Sequence, residues 1–125
     1  MNDVDLNLLE QQKIDKLKEY GLDIDSINEF KSKIKKVSNE EQQNLGKELF
    51  DLISSKNYND DLDLDKVIEL IYKGAFVEYK DEKGDFSLLR CARKNYLKTF
   101  IVLVKAGANV NQKNNYLTTA TMASA

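Results

Sequence analysis

A short phrase occurs twice in this chain at a fixed distance. Gly74-Ala75-Phe76-Val77 returns as Gly107-Ala108-Asn109-Val110, 33 residues later. The residues before each phrase also match. Val67-Ile68-Glu69-Leu70-Ile71 falls in register with Phe100-Ile101-Val102-Leu103-Val104 at the same offset. Self-similarity at such a period marks a small unit used more than once, which buries its apolar side by stacking on its neighbours. No other feature of the sequence restricts the fold as strongly.

The chemistry of the phrase points the same way. An apolar helical run that ends in Gly-Ala is a helix terminus, because Gly takes the left-handed conformation at no Cβ cost. Gly74 and Gly107 each follow such a run. Beyond each, a short extended piece is expected, 76–80 and 109–113, closed by a turn cluster at 81–85 and then at 114–115. The next helix begins near Phe86 or Thr119. Each period is thus a helix, a tight corner, a finger and a helix.

Helical spacing continues outside the repeat. Leu6, Leu9, Ile14 and Leu17 predict a first helix over 4–20, stopped by Gly21. Ser26-Ile27-Asn28-Glu29 has the capping-box pattern and predicts a second over 26–37, with Ile27, Phe30, Ile34 and Val37 on one face. Ser38-Asn39-Glu40-Glu41 predicts a third over 38–56, burying Leu45, Leu49, Leu52 and Ile53. After a polar connection at 57–63, helices are expected over 64–73, 86–94 and 97–106, and the start of a seventh over 119–125. No strand of ordinary length is evident, so the class is all-α.

Composition narrows the chemistry. The chain has 125 residues, 42% of them hydrophobic and 32% charged, enough for one core under a charged surface. It has one cysteine, Cys91, and no histidine. That excludes an intramolecular disulfide, Cys-His and Ser-His-Asp catalysis, and most zinc sites. Cys91 reads as a small core residue. Asp61-Leu62-Asp63-Leu64-Asp65 resembles the start of a calcium loop, but Lys66 and Tyr72 stand where the loop needs Gly and Glu. These acids, and the pairs Glu40-Glu41 and Asp60-Asp61, read as solvated helix starts. Gly84 and Gly107 are single turn glycines and form no phosphate loop. No cofactor or metal is expected. No run is long and apolar enough for a membrane helix, and the polar, acidic N-terminus does not read as a secretory signal. The expected location is the cytoplasm, with export by a route not read from the N-terminus still open.

With this pattern in place, the chain resembles the ankyrin repeat family. Asp81 and Gly84 match the family's turn, Leu88 and Ala92 its first helix, and Ile101, Leu103, Gly107, Ala108, Val110 and Asn111 its second half. Residues 119–125 fall in register with 86–92, with Thr119 on the family's Thr. Phe86-Ser87 lacks the family's Thr-Pro, so the helix that follows should be less firmly fixed at its start. Thr121 stands where the family buries a Leu. The resemblance implies an ankyrin-type helix-turn-helix solenoid over 45–125, with a degenerate repeat at 45–79, a full one at 80–112 and a partial one at 113–125. Residues 1–44 would then be a helical N-terminal cap, since the end of a solenoid is otherwise an open apolar face. The chain stops inside a seventh helix. That reads first as a longer array cut short, and second as a surface for self-association.

The resemblance also implies a function: non-enzymatic binding of another protein through finger tips and first helices. On this chain those positions are Lys80, Glu82, Lys83, Asp85, Arg93, Lys94, Lys113, Asn115 and Tyr116, with Thr118 beside them. Residues 80–125 hold eight basic residues against three acids, net +5, although the whole chain is −2. Such a face suits an acidic partner surface. The alternative is a structural module that pairs with another copy through its uncapped C-terminal repeat. The basic end offers no recognition helix or stacking groove for nucleic acid.

Overall fold

The fold was obtained as a computed structural model that describes residues 23–110, 112 and 113. Among these residues it is all-helical: α1 (Ile24–Ser32), α2 (Asn39–Ser54), α3 (Leu64–Tyr72), α4 (Ser87–Lys94) and α5 (Leu97–Lys105). The only ladder contact among them is an antiparallel bridge between Lys80 and Phe86. The expected helices at 4–20 and 119–125 lie outside the described residues.

Two helical pairs stand one on the other. α2 lies against α3 and α4 against α5, and the pairs meet like on like, α2 on α4 and α3 on α5. The core runs through both. Leu49 and Ile53 come from α2, Val67 and Ile71 from α3, Leu88 and Leu89 from α4, and Leu103 and Val104 from α5. Full burial of each such side chain contributes about 1.5–3 kcal/mol.

The two Gly-Ala corners have the same hydrogen bonds. Gly74 N–H donates to Ile71 O at 3.0 Å and Ala75 N–H to Leu70 O at 3.1 Å. Thirty-three residues on, Gly107 donates to Val104 O at 3.0 Å and Ala108 to Leu103 O at 3.0 Å. Both glycines have positive φ, +111° and +99°. This is the Schellman closure, which satisfies carbonyls that a helix end leaves open. Asn95 (φ 60°) closes α4 in the same way, with Tyr96 N–H on Cys91 O at 2.8 Å.

α1 departs from expectation at both ends. Asp23, rather than Ser26, is its cap: Oδ1 accepts the Ser26 amide at 2.7 Å. That bond holds the Asp23 carboxyl below the usual carboxylate range. The helix stops at Ser32 and does not reach Val37. Ser32 Oγ bonds back to Glu29 O, and Lys35 N–H donates to Tyr72 O at 2.8 Å, satisfying a terminal carbonyl of α3. Ile34 and Val37 therefore lie in a connecting segment. α1 itself packs against α5, and its Phe30 ring sits 5.0 Å from that of Tyr72 on α3. The described part of the N-terminal extension thus lies along the second helices of both pairs.

α2 begins where its sequence says, with Ser38 Oγ accepting the Glu41 amide at 3.2 Å. Gly46 lies inside this helix, where Gly costs about 1 kcal/mol against Ala. Its reason is a close approach. A Cβ there would stand 2.6 Å from Phe76 O, because the chain after α3 folds onto α2 and Phe76 N–H bonds Gln42 O at 3.0 Å.

Candidate functional site

The finger between α3 and α4 is built on Asp81. Its Oδ1 accepts the amides of Lys83 at 2.9 Å and Asp85 at 2.8 Å, while Gly84 N–H bonds Asp81 O. This is an Asx turn, and Gly84 supplies the positive φ it needs. The finger is less extended than the sequence suggests. Val77 and Glu78 form a turn, and only the Lys80–Phe86 bridge is paired.

Each finger is tied to the next. Glu78 Oε1 accepts the Asn109 amide at 3.0 Å, and Lys80 Nζ reaches Lys113 O at 3.2 Å. Burial raises the Glu78 carboxyl above its usual range, against the Asn109 bond and the Lys80 charge.

The finger is also fixed to the first helices. Asp85 is buried, 5% exposed, and its Oδ2 lies 3.5 Å from Arg90 and 3.2 Å from Arg93. Arg90 also lies 3.7 Å from Asp81, and its guanidinium stands 5.5 Å over the Phe50 ring of α2. The Phe50 ring in turn meets Tyr79 at 5.9 Å. Arg90 therefore joins α4, α2 and the finger through charge and ring contacts at once.

Of the positions expected at the binding face, Lys80, Glu82, Lys83, Arg93, Lys94 and Lys113 are exposed. Asp85 is a correction. It lies inside, paired with Arg90 and Arg93, because an unpaired buried carboxylate would be costly. Asn115, Tyr116 and Thr118 lie outside the described residues. The cations thus lie in the last turn of α4 (Arg93, Lys94) and on the fingers (Lys80, Lys83, Lys113).

The loop at 57–63 is a second correction. It reads as a polar connection, and Asp60 as a solvated helix start. Instead Asp60 crosses to the second pair and caps α5. Its Oδ2 accepts the Lys98 amide and its Oδ1 the Thr99 amide, both at 2.9 Å. Thr99 Oγ1 adds a 2.6 Å bond to Oδ1 and also meets the Tyr58 hydroxyl. Tyr96, the residue at the cap position of α5, makes no such bond. Asp61 pairs with Lys98. The loop is shaped for this by Asn59, whose Oδ1 accepts the amides of Asp61 and Leu62 at 2.8 Å. No local pattern could have revealed the cap, since the partners are 39 residues apart.

Among the described residues no group of His, Cys, Asp or Glu is arranged to hold a metal ion. No helix among them is long and apolar enough to cross a membrane. Cys91 is buried, and burial pushes its thiol well above the usual range. It is held as a neutral thiol, the form that is neither nucleophile nor metal ligand.

No protein-family model, no curated protein and no solved structure matches the chain.

Proposed function

We infer that this chain is an ankyrin-type repeat scaffold that binds another protein without catalysing a reaction. The observation that carries this reading is the recurrence of one corner, bond for bond, at 33 residues in helical pairs stacked like on like. A stack of that kind holds the side chains on its open face in fixed positions. A partner then costs little ordering entropy in the scaffold.

The face itself suggests the partner's chemistry. Lys80, Lys83 and Lys113 are exposed on fingers that are bonded to each other, and Arg93 and Lys94 are exposed in the last turn of α4. Their combined potential would speed encounter with an acidic protein surface and disfavour a basic one.

The test is capture of a protein by the intact chain, identification by mass spectrometry, and titration of that protein in pure form. The Lys83→Glu/Lys94→Glu variant is compared. We expect affinity to fall at least tenfold, with a weaker dependence on salt. Equal affinity for both forms would move the binding face elsewhere. The absence of any saturable protein partner would remove the reading.

A further inference from the structure

The charge of the chain is divided by layer. Residues 38–79, the first pair with its loop and finger base, hold ten acids and four bases, net −6. Residues 80–113, the second pair, hold eight bases and three acids, net +5. The division recurs on the face where the first helices are open. α2 exposes Glu40, Glu41, Glu48 and Asp51 there, with Lys47 as its one exposed base. α4 exposes Arg93 and Lys94 and contains no acid. Lys83 stands exposed on the adjoining finger, next to the exposed Glu82.

These stripes lie side by side on neighbouring helices. None of the ion pairs among the described residues joins an acid of α2 to a base of α4 or the finger. The surface is therefore self-complementary. Consider a two-fold axis between two such faces, running along the helices. It lays α4 of a second copy over α2 and α2 over α4, so each acidic stripe meets a basic one. The arrangement without reversal of the layers sets like charge against like.

We propose that two copies of this chain pair face to face, with layers reversed, through α2, α4 and the finger at 80–85. Exposed ion pairs contribute little singly and are screened by salt. The pairing is accordingly weak, reversible and strongest at low ionic strength. Charge here selects the orientation more than it adds affinity. The inference goes beyond the protein-binding reading and uses the same face, so a second copy and an acidic partner compete for it.

Sedimentation velocity across a range of concentrations, at about 20 mM and about 500 mM salt, tests the pairing. The expected result is a concentration-dependent rise toward dimer mass at low salt and a monomer at high salt. The variants Glu48→Lys/Asp51→Lys and Lys83→Glu/Lys94→Glu should each stay monomeric at low salt. Mixed in equal amounts they should associate, because each reversed stripe again faces its opposite. A wild-type chain that stays monomeric at low salt overturns the proposal, and that measurement requires no variant to fold. Dimerisation unchanged in either variant, or a mixture that does not associate, overturns it too. The acid-reversed variant keeps Lys83, Arg93 and Lys94. Capture of a protein partner by that variant, with pairing lost, would separate the two functions.

Discussion

Asp60 caps Thr99 from another helical pair: its Oδ1 accepts the Thr99 amide at 2.9 Å and the hydroxyl at 2.6 Å. The second carboxylate oxygen takes the Lys98 amide. Two open donors of α5 are thus satisfied by the loop that joins α2 to α3, and the layers are latched at the side away from the fingers. Replacing Asp60 by Ala removes the acceptor and leaves the buried Thr99 hydroxyl to Tyr58 alone. A loss of about 1–2 kcal/mol is expected in denaturant unfolding. A double-mutant cycle with Thr99→Val should show coupling between the two sites, because they share one network.

The Tyr58 hydroxyl belongs to the same network, and burial raises it to about 12. The group is neutral when protonated, so the folded state keeps its proton at pH values where the unfolded state has lost it. The stability it contributes is complete below about pH 10 and is lost as pH rises toward 12. Alkaline titration of unfolding should show this fall. Tyr58→Phe should flatten the alkaline limb and cost about 1 kcal/mol near neutral pH through the lost hydroxyl bond.

Glu78 follows the same sign in a lower pH range. Its carboxyl is raised by burial, so the folded state binds a proton more readily than the unfolded one. Stability from this site therefore declines as pH rises from the unfolded value through the folded one. Glu78→Gln keeps an oxygen for the Asn109 amide and removes the charge. The melting temperature at pH 7 should rise or hold, and the decline across the carboxylate range should shrink.

Gly74 and Gly107 occupy the same corner, yet substitution should not cost the same. Both have positive φ, which strains any residue with a Cβ, by roughly 1–2 kcal/mol. At Gly107 the added carbon meets the flexible end of Lys31 at 3.1 Å. At Gly74 it meets Val37 Cγ2 at 2.6 Å and the backbone oxygen of Lys35 at 2.9 Å. Gly74→Ala should therefore destabilise by at least about 1 kcal/mol more than Gly107→Ala, as read from denaturation midpoints.

That contrast shows what the sequence could and could not disclose. A Schellman corner is made by six consecutive residues, so its two copies were legible from Leu70 to Ala75 and again from Leu103 to Ala108. The Ser38 cap and the turn at Asp81–Gly84 are equally local, and they lie where the pattern put them. The end of α1 has no local signal, because the segment after it is held by Lys35 on Tyr72, a tertiary bond. Asp60 has the local pattern of a solvated acid, because its partner Thr99 is distant in sequence. At the candidate face the cations were legible as charges. Asp85 was not, since only its position between Arg90 and Arg93 makes it an internal counterion. Phe50 gives no local signal for the same reason: its neighbours Arg90 and Tyr79 come from the next pair and the finger.

The stacking of the helical pairs underlies every proposal made for this chain, and NMR distances across the pairs test it most directly. In an isotopically labelled sample, nuclear Overhauser effects should join the Tyr58 ring to the Thr99 methyl and the Phe50 ring to the Arg90 side chain. The Gly74 and Gly107 amides should show matching contacts to the helices that precede them. Their absence, or a contact set in which Gly74 and Gly107 have unrelated neighbours, would contradict the stack.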